Sequence, residues 1–467
     1  MKRSLLCALL CSLPAGIAWA DGAVYAMTNA LGNNQIVVYH RASNGNLTVI
    51  QTIATGGGGS GLQLAGVDSL GSAGSLQLDP SHHFLFAVNT ESTSSNNGAG
   101  AYHSDCKQGT ITSFLVSSNG ALTFASKVPS GGLFPNSLAV ENLGNGNDNG
   151  DGNEKGDGNL KAGRDGNDDN DGQHGILLYV LNAGGPGNCN VGPNVKGFRV
   201  DGTGHMQAVT AAQVIDPGLP VGADANCSAA SASGFAQLTG APAADFTCGL
   251  NPPSFPRSPA QVRFTPDGTQ LIVTVKVTNS IHVFPLDNNG RAGDPTVGPT
   301  IGNALPTFFG FTFDKNGHML VTELFGSATS IPAGAQGAVS SFTVGNLGGL
   351  TAISSHVADG GTAACWIALE PTNGKFAYVA NNLSASISSY AVASNGAVTL
   401  LSGTAALGTG PNDLAAVTEN GSSFLYVVDA GTGTVGAFQI NLSNGALSAI
   451  SGGGGLPTNS AQGLAAF

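Results

Sequence analysis

The stretch that decides the fold runs from residue 365 to residue 452 and contains one pattern twice. The first copy reads CWIALEPTNG (365–374), KFAYVANN (375–382), ASISSYAVASNG (385–396) and AVTLLSG (397–403). The second copy reads PNDLAAVTENG (411–421), SSFLYVVDAGTG (422–433), TVGAFQINLSNG (434–445) and ALSAISG (446–452). Each copy has short apolar runs separated by Asn-Gly or Gly-rich turns, whose residues tolerate positive φ. The copies are offset by 48 residues, from Tyr378 to Tyr426, and each predicts a four-stranded antiparallel sheet.

A second-strand signature recurs along the chain: a β-branched or aromatic run that ends near a polar residue. Its seven occurrences are VYAMTN (24–29), LFAVNT (85–90), LYVLNA (178–183), LIVTVK (271–276), MLVTEL (319–324), AYVANN (377–382) and LYVVDA (425–430). A four-stranded sheet repeated at this period is typical of a propeller blade, so the sequence predicts an all-β, seven-bladed β-propeller. Blade one lacks a first strand at its N-terminal end, whereas residues 461–467 (AQGLAAF) resemble one. We therefore predict that this C-terminal strand pairs with Val24–Asn29 and closes the ring, which removes two open sheet edges.

The N-terminus predicts export. Lys2 and Arg3 precede an apolar run over residues 5–13, and residues 18–20 (AWA) form a small-x-small cleavage site. The apolar run is too short to span a bilayer, which argues against a membrane anchor. We expect a signal peptide at residues 1–20, a mature propeller at residues 21–467, and a periplasmic or secreted location.

Charge and motifs limit the partners and cofactors. Once Lys2 and Arg3 are removed, 14 basic residues face 28 acidic ones, a formal net charge of −14. Nucleic acids and anionic membranes both require a basic surface, so neither is expected as a partner. The sequence contains no zinc-ligand spacing, P-loop or dinucleotide fingerprint, and we expect no cofactor. We expect a monomer without a membrane span.

The predicted strand order places the long connections on two faces. Loops between blades, and between second and third strands, share one face, which we call the mouth face. Its long segments are residues 56–74, 92–108, 185–193, 216–256 and 327–336. Functional groups commonly lie on such loops, so this face is the candidate functional site. Residues 142–174, rich in Gly, Asn and Asp, fall on the opposite face and predict a disordered insertion; a calcium loop is the alternative, but Gly156 and Leu178 replace its expected Glu.

Five cysteines remain after signal removal. They are Cys106, Cys189, Cys227, Cys248 and Cys365. Cys227 and Cys248 lie 21 residues apart in one long loop, and we predict a disulfide between them. A second bridge, between Cys106 and Cys189, is plausible because their loops are equivalent in adjacent blades. Cys365 is then expected to be a free, buried thiol.

The chain resembles the seven-bladed propeller lactonases, a family that includes 6-phosphogluconolactonase-like and carboxymuconate-lactonizing proteins. The segments that carry the resemblance are PAQVRFTPDGTQLIVTV (259–275), IHVFPLDNNGR (281–291), MLVTELFG (319–326) and GKFAYVANN (374–382). The resemblance implies hydrolysis or formation of a lactone without a metal, by Arg, His and Glu side chains at the mouth of the channel. The family's Pro-Arg-His aligns with Pro259-Ala260-Gln261, so its Arg and His are absent here. The acidic residue of its Asn-Glu-Leu segment is kept as Glu323.

Five residues are candidates for the site. Glu323 is the candidate general base, and the alternative is a strand-end carboxylate that is exposed to water or caps backbone N–H groups. Lys276 ends the equivalent strand of the preceding blade, where it would pair with Glu323 or stabilise an oxyanion; a solvated surface lysine is the alternative. Arg257 is a candidate for holding an anionic substrate, with an ordinary exposed loop arginine as the alternative. Gln261 is a candidate for orienting a water molecule. Trp366 would stack on a sugar ring or lie in the core between blades.

Two functions remain open from the sequence. The first is an exported lactonase-like hydrolase acting on a small sugar-acid or muconate-type lactone through general-base activation of water. The retained Glu323 and its cationic neighbours favour it. The second is an exported propeller without catalysis that serves as a binding or interaction scaffold. The missing Arg and His favour this alternative, and a fold by itself does not settle function.

Overall fold

The computed structural model describes residues 22–61, 68–92, 106–143, 175–184, 191–209, 213–214, 259–276, 279–298, 307–324, 336–346 and 348–467. The predicted signal peptide at residues 1–20 lies outside them. So do the loop at 216–256 and nearly all of the insertion at 142–174, including its calcium-like runs. The predictions made for those segments stay predictions. In the described part of the chain, no helix has the length and apolar content needed to cross a bilayer.

The described strands form seven antiparallel sheets in chain order. Blade one contains β1 (Gly22–Met27), β2 (Gln35–Arg41) and β3 (Leu47–Ala54). Blade two contains β4 (Leu76–Leu78), β5 (Phe84–Asn89), β6 (Gln108–Val116) and β7 (Leu122–Leu133). Blade three contains β8 (Pro135–Leu143), β9 (Gly175–Asn182), β10 (Asn194–Val200) and β11 (Met206–Ala208), and β12 (Gln213–Val214) also pairs with β10. Blade four contains β13 (Pro259–Phe264), β14 (Gln270–Val275), β15 (Ser280–Pro285) and β16 (Thr296–Val297).

The last three blades follow the same order. Blade five contains β17 (Phe308–Phe313), β18 (His318–Glu323), β19 (Ala338–Val344) and β20 (Leu350–Ala358). Blade six contains β21 (Ala364–Leu369), β22 (Phe376–Asn381), β23 (Ser386–Val392) and β24 (Val398–Leu407). Blade seven contains β25 (Pro411–Glu419), β26 (Ser422–Asp429), β27 (Thr434–Ile440) and β28 (Leu447–Gly453). The final strand, β29 (Leu464–Ala466), joins blade one. The predicted seven-bladed propeller is confirmed.

The C-terminal strand closes the ring as predicted. In β29, Leu464 pairs with Ala26 and Ala466 pairs with Val24, so blade one has the order β29-β1-β2-β3. The N–H of Met27 also donates to the main-chain oxygen of Gly463 at 3.0 Å. The first strand of blade one therefore comes from the opposite end of the chain.

Arg41, at the end of β2, reinforces this closure. Its Nε and Nη2 atoms donate to the main-chain oxygen of Phe467 at 3.1 and 3.0 Å. Nη2 also forms a 2.8 Å ion pair with Glu419 of blade seven. Because the Arg41 side chain is only 1% exposed, these bonds lie in a largely water-free environment. One side chain thus joins blade one, the C-terminus and blade seven.

Burial differs between inner and outer strands. Every residue of β1, β5, β14 and β22 is buried, because neighbouring blades cover both faces of these second strands. They therefore read as continuous apolar runs rather than as alternating patterns. In the outermost strand β3, by contrast, half of the residues are exposed. The core thus consists of layers between adjacent blades.

Tyrosines in four second strands connect neighbouring blades. Their hydroxyl groups donate to the carbonyl oxygens of glycines in the turns between third and fourth strands. The pairs are Tyr25 with Gly120 at 2.8 Å, Tyr179 with Gly290 at 2.7 Å, Tyr378 with Gly445 at 2.9 Å and Tyr426 with Gly45 at 2.8 Å. The repeated Tyr of the sequence therefore supplies the donor, and the repeated Asn-Gly turn supplies the acceptor, of the same hydrogen bond between blades.

Tyr426→Phe should lower the free energy of unfolding by about 1 kcal/mol, because the buried Gly45 carbonyl loses its donor while ring packing is kept. Urea denaturation measures this change. Tyr426→Leu, which removes the ring as well, should cost more. A Tyr426→Phe variant as stable as the wild type would show that this bond does not contribute to stability.

Candidate functional site

The connection from blade one to blade two enters the centre of the propeller. We call residues Asp68–Ser75 (DSLGSAGS) the axial segment; every residue in it is buried. Its small side chains let the backbone fit where the inner strands converge. Gly71 and Gly74 have φ values of 60° and 77°, a region that glycine adopts without strain. Since a buried loop must satisfy its backbone polar groups, its hydrogen bonds identify its neighbours.

On one side, the axial segment bonds to the first strands of blades three and four. The Ser72 hydroxyl donates to the main-chain oxygen of Asn136 at 2.6 Å. The N–H of Ala73 donates to the main-chain oxygen of Ala260 at 3.0 Å. Both acceptors lie near the starts of their strands, which face the mouth.

On the other side, it bonds to blade six and to the residues before β29. The indole N–H of Trp366 donates to the main-chain oxygen of Ser72 at 2.9 Å. The Gln462 amide donates to the same oxygen at 2.7 Å and accepts from the N–H of Leu70 at 2.8 Å. A segment bonded to blades three, four and six must lie on the propeller axis, where it fills the mouth-side end of the channel.

Three charged side chains meet at the axial segment: Asp68 itself, Lys276 after β14, and Asp413 in β25. We call them the axial cluster. Lys276 is 1% exposed; its ammonium donates to the main-chain oxygen of Gly71 and lies 5.0 Å from the centre of the Phe309 ring. Burial lowers the pKa of Lys276, and the charge of Asp68 opposes that shift. Because Lys276 is buried, the alternative of a solvated surface lysine is wrong.

The two carboxyl groups of the axial cluster are buried and incompletely bonded. Oδ1 of Asp68 accepts the N–H of Gly71 at 2.8 Å, and burial raises the pKa of Asp68 while Lys276 lowers it. Asp413, which has φ = 34°, accepts backbone N–H groups of Gly463 and Gly74. Burial raises the pKa of Asp413 to about 7, and Asp68 adds to the shift.

Each of these two carboxyl groups has one oxygen atom without a hydrogen-bond partner among the described residues. These atoms are Oδ2 of Asp68 and Oδ2 of Asp413. A carboxyl group that titrates near neutral pH is suited to general acid–base catalysis, and an adjacent ammonium is suited to stabilise a developing oxyanion. The axial cluster contains both kinds of group.

Glu323 points into its own blade rather than toward Lys276. Oε1 of Glu323 accepts the Ser340 hydroxyl, and Oε2 lies 2.6 Å from Nδ1 of His356 in the outermost strand, β20. The bond to Glu323 raises the pKa of His356, against the effect of burial. The suggested pairing of Lys276 with Glu323 is not observed, since Lys276 faces Asp68. A role for Glu323 as the base stays a prediction.

The other predicted site residues take structural contacts or lie outside the described part. Oε1 of Gln261 accepts the N–H of Phe311 at 2.6 Å, which ties blade four to blade five. Trp366 is 1% exposed and packs edge-on against Phe309 at 5.4 Å, so it lies in the core. Arg257 lies outside the described residues.

The cysteines are described only in part. Cys365 is free and buried, as expected, and burial raises its pKa, so the thiol is neutral and a poor nucleophile near pH 7. Cys106 is disulfide-bonded, but its partner lies outside the described residues. The pairings of Cys106 with Cys189 and of Cys227 with Cys248 stay predictions. Among the residues with described positions, no three His, Cys, Asp or Glu side chains are grouped closely enough to hold a metal ion.

The axial cluster predicts a stability that decreases from acidic to neutral pH. The pKa of Asp413 is about 7 in the native state against about 3.9 in an unfolded chain. Its stabilising contribution is thus complete below pH ~4 and is lost as the pH rises through about 7. Asp359 and Asp429, whose pKa values burial raises to about 6, act in the same direction.

Thermal unfolding of Asp413→Asn should therefore show a smaller fall in Tm between pH 4.5 and 7.5 than that of the wild type, because Asn cannot ionise. Asp294→Asn, at an exposed position on the opposite face, is the matched control and should keep the wild-type slope. Equal slopes in wild type and Asp413→Asn would contradict the buried, protonated state of Asp413.

Comparisons with known proteins agree with the fold. A model of the family "Lactonase, 7-bladed beta-propeller" matches residues 351–458, which span blades six and seven. No curated protein matches the sequence. The solved periplasmic gluconolactonase PpgL of Pseudomonas aeruginosa is 16% identical, with a TM-score of 0.57 over 96% of this chain and 98% of that one. A candidate 6-phosphogluconolactonase of Bacteroides uniformis is 15% identical, with a TM-score of 0.58 over 96% and 99%.

A candidate 6-phosphogluconolactonase of Bacteroides fragilis is 16% identical, with a TM-score of 0.56 over 96% of this chain and 99% of that one. Likeness at such low identity establishes the shared fold and leaves the chemistry to the site. The chain resembles the seven-bladed β-propeller lactonases, in sequence over residues 351–458 and in fold over nearly its whole length.

Proposed function

We propose that the protein is a lactone hydrolase whose reaction takes place at the axial cluster. The observation that carries the proposal is that Lys276 and two incompletely bonded carboxyl groups, Asp68 and Asp413, all contact the axial segment. The family match covers the blade that contains Asp413, and similar structures include a gluconolactonase. Hydrolysis of a cyclic ester needs a base for water and a cation for the oxyanion, and the axial cluster contains both.

In this mechanism the Asp413 carboxylate removes a proton from water while the oxygen of that water attacks the lactone carbonyl carbon. The Lys276 ammonium stabilises the negative charge that develops on the carbonyl oxygen. The tetrahedral intermediate then breaks its ring C–O bond, and the proton held by Asp413 passes to the leaving alkoxide. The product is the open hydroxy acid. The charge of Asp68 favours the protonated form of Lys276 and opposes the effect of burial.

The direct test is proton release from a panel of lactones, with uncatalysed hydrolysis subtracted. Wild-type kcat/KM should fall below about pH 7, where Asp413 becomes protonated, and also above about pH 7, where Lys276 loses its proton. Asp413→Asn should lose about 10²–10⁴-fold, the range typical of a general base, whereas Asp294→Asn should retain activity. If the wild type and Asp413→Asn hydrolyse a lactone at the same rate, Asp413 is not the general base.

Glu323 remains the second candidate for the base, acting through His356. A carboxylate bonded to Nδ1 orients the other ring nitrogen, and the His356 side chain is 18% exposed. His356 also has a positive φ of 52°, a backbone conformation found at some functional sites. In the same assay, loss of activity in His356→Gln with Asp413→Asn still active would select this pair.

A non-catalytic scaffold is the second candidate function. The axial segment fills the mouth-side channel, and Lys276 is only 1% exposed, which restricts entry of a substrate. A folded wild-type protein that hydrolyses no lactone of the panel would favour this function.

We also propose that the protein is exported to the periplasm or secreted, with a small lactone or sugar-like molecule as its ligand. The charged and apolar pattern of residues 1–20 supports export, and PpgL is described as periplasmic. Mass spectrometry of the protein from a cell fraction should find Asp21 as the first residue. An intact N-terminus in the cytoplasmic fraction alone would refute export.

A further inference from the structure

The charge balance of the axial cluster bears on the kind of lactone that fits there. Asp68 lies close to the ammonium of Lys276, and the carboxyl group of Asp413 interacts electrostatically with Asp68. Lys276 is already bonded to Gly71 and paired electrostatically with Asp68. If it also stabilises the oxyanion, it has no further charge to offer to a phosphate or carboxylate substituent.

The described arginines do not supply that charge, because they lie toward the face opposite the mouth. Each is at the far end of a first or third strand, at the end of β2, or in a turn between third and fourth strands. These residues are Arg41, Arg199, Arg263 and Arg291. Arg41 is bound to Glu419 and Phe467, and Arg199 donates to the main-chain oxygen of Asn289.

The described lysines nearer the mouth face lie away from the axis. Lys127 belongs to the outermost strand of blade two, where its ammonium donates to the main-chain oxygen of Gly56 at 2.5 Å and lies 3.9 Å from Glu91. Lys196 lies in the third strand of blade three and its side chain covers Gly131. A third lysine, the exposed Lys107, directly precedes β6, the third strand of blade two. None of these three lysines belongs to the inner strands that surround the axial segment.

We infer that this site accepts an uncharged lactone and disfavours lactones that carry a phosphate or carboxylate group. This inference rests on the proposed function. Its physical basis is electrostatic repulsion between an anionic substituent of the lactone and the carboxylates of the axial cluster. An anionic substituent next to Asp68 and Asp413 meets like charge in a buried, weakly screening environment, and the described residues supply no second cation beside the cluster to offset it. Discrimination therefore comes from unfavourable contacts with the charged analogue.

A matched pair of substrates tests the inference: glucono-1,5-lactone and its 6-phosphate, which differ by one phosphate group. Wild-type kcat/KM should be at least about tenfold higher for the uncharged lactone. Raising the salt concentration should change this ratio little, because the charges of the cluster are buried and weakly screened. Equal or higher kcat/KM for the phosphorylated lactone would overturn the inference.

A charge-removing variant ties the selectivity to the cluster. Asp68→Asn should reduce the ratio of the two kcat/KM values, whereas Asp294→Asn removes the same charge from the opposite face and should leave the ratio unchanged. Equal ratios in wild type and Asp68→Asn would contradict the inference. A preference for the phosphorylated lactone that disappears in Arg257→Ala would instead assign anion binding to the arginine named from the sequence.

Binding of non-hydrolysable lactams separates this inference from the proposed function. Calorimetry with gluconolactam and its 6-phosphate should show tighter binding of the uncharged ring. Selective binding of that ring without hydrolysis of any lactone would refute the function and support the inference. Tighter binding of the phosphorylated lactam would overturn the inference even if hydrolysis occurs, and no binding of either ring would overturn both.

Discussion

Replacing Lys276 by Met should lower kcat/KM for lactone hydrolysis by about 10²–10³-fold, the loss expected when one oxyanion donor is removed. Met has a similar length and is apolar, so it fills the space beside Phe309 without an ammonium group. Because burial already penalises the charged form of Lys276, the variant should stay folded. The initial rate of proton release measures the effect.

Lys375→Met is the matched control, since Lys375 lies in an exposed turn on the opposite face and its replacement removes the same charge. This control should retain wild-type kcat/KM. Thermal unfolding of both variants shows that any loss arises in a native protein. Full activity in a folded Lys276→Met variant would exclude Lys276 as the oxyanion donor.

The second large effect concerns the closure of the ring. Arg41→Met should lower the free energy of unfolding by about 3 kcal/mol, the scale found when one partner of a buried ion pair is removed. The substitution removes the ion pair with Glu419 and both bonds to the main-chain oxygen of Phe467. It therefore weakens two joints between the first and last blades together. Urea denaturation at constant pH gives the change.

Arg199→Met serves as the control, because exposed Arg199 makes one 3.3 Å bond to the main-chain oxygen of Asn289. We expect its stability to stay within about 0.5 kcal/mol of the wild type, as for most surface substitutions. Glu419→Gln tests the ion pair alone and should give an intermediate loss. If Arg41→Met and Arg199→Met are equally stable, Arg41 does not hold the ring closed.

The architecture was accessible from the sequence because each blade repeats the same local chemistry. Asn-Gly turns and continuous apolar second strands recur, and they predict sheets without any long-range information. Closure was predictable because VYAMTN at residues 24–29 lacked a partner that AQGLAAF at 461–467 could supply. The contact of Tyr426 with Gly45 links parts of the chain 381 residues apart, and the sequence shows both groups without their pairing.

The candidate site was only partly accessible. Lys276 was identified because it ends a second strand, but strand position does not determine whether a long side chain turns to the axis or to a neighbouring blade. Asp68 lies in a Gly- and Ser-rich loop with no periodicity, so no sequence signal separated it from other loop acids. Asp413 follows Pro411-Asn412 at the start of a first strand. That position, at the mouth face, was the one sequence feature that could have indicated a role for Asp413 in the site. His356 lies 33 residues from Glu323, and only the fold brings them together.

The eight residues Asp68–Ser75 connect several blades at the centre of the ring. Their bonds reach Asn136, Ala260, Trp366 and Gln462, which belong to widely separated parts of the circle. Gain or loss of one repeat by gene duplication or deletion would shift all of these attachment points at once. The number of blades is therefore constrained by the axial segment as well as by the closure of the ring. Evolutionary change in this protein should accordingly accumulate in peripheral loops rather than in the number of blades.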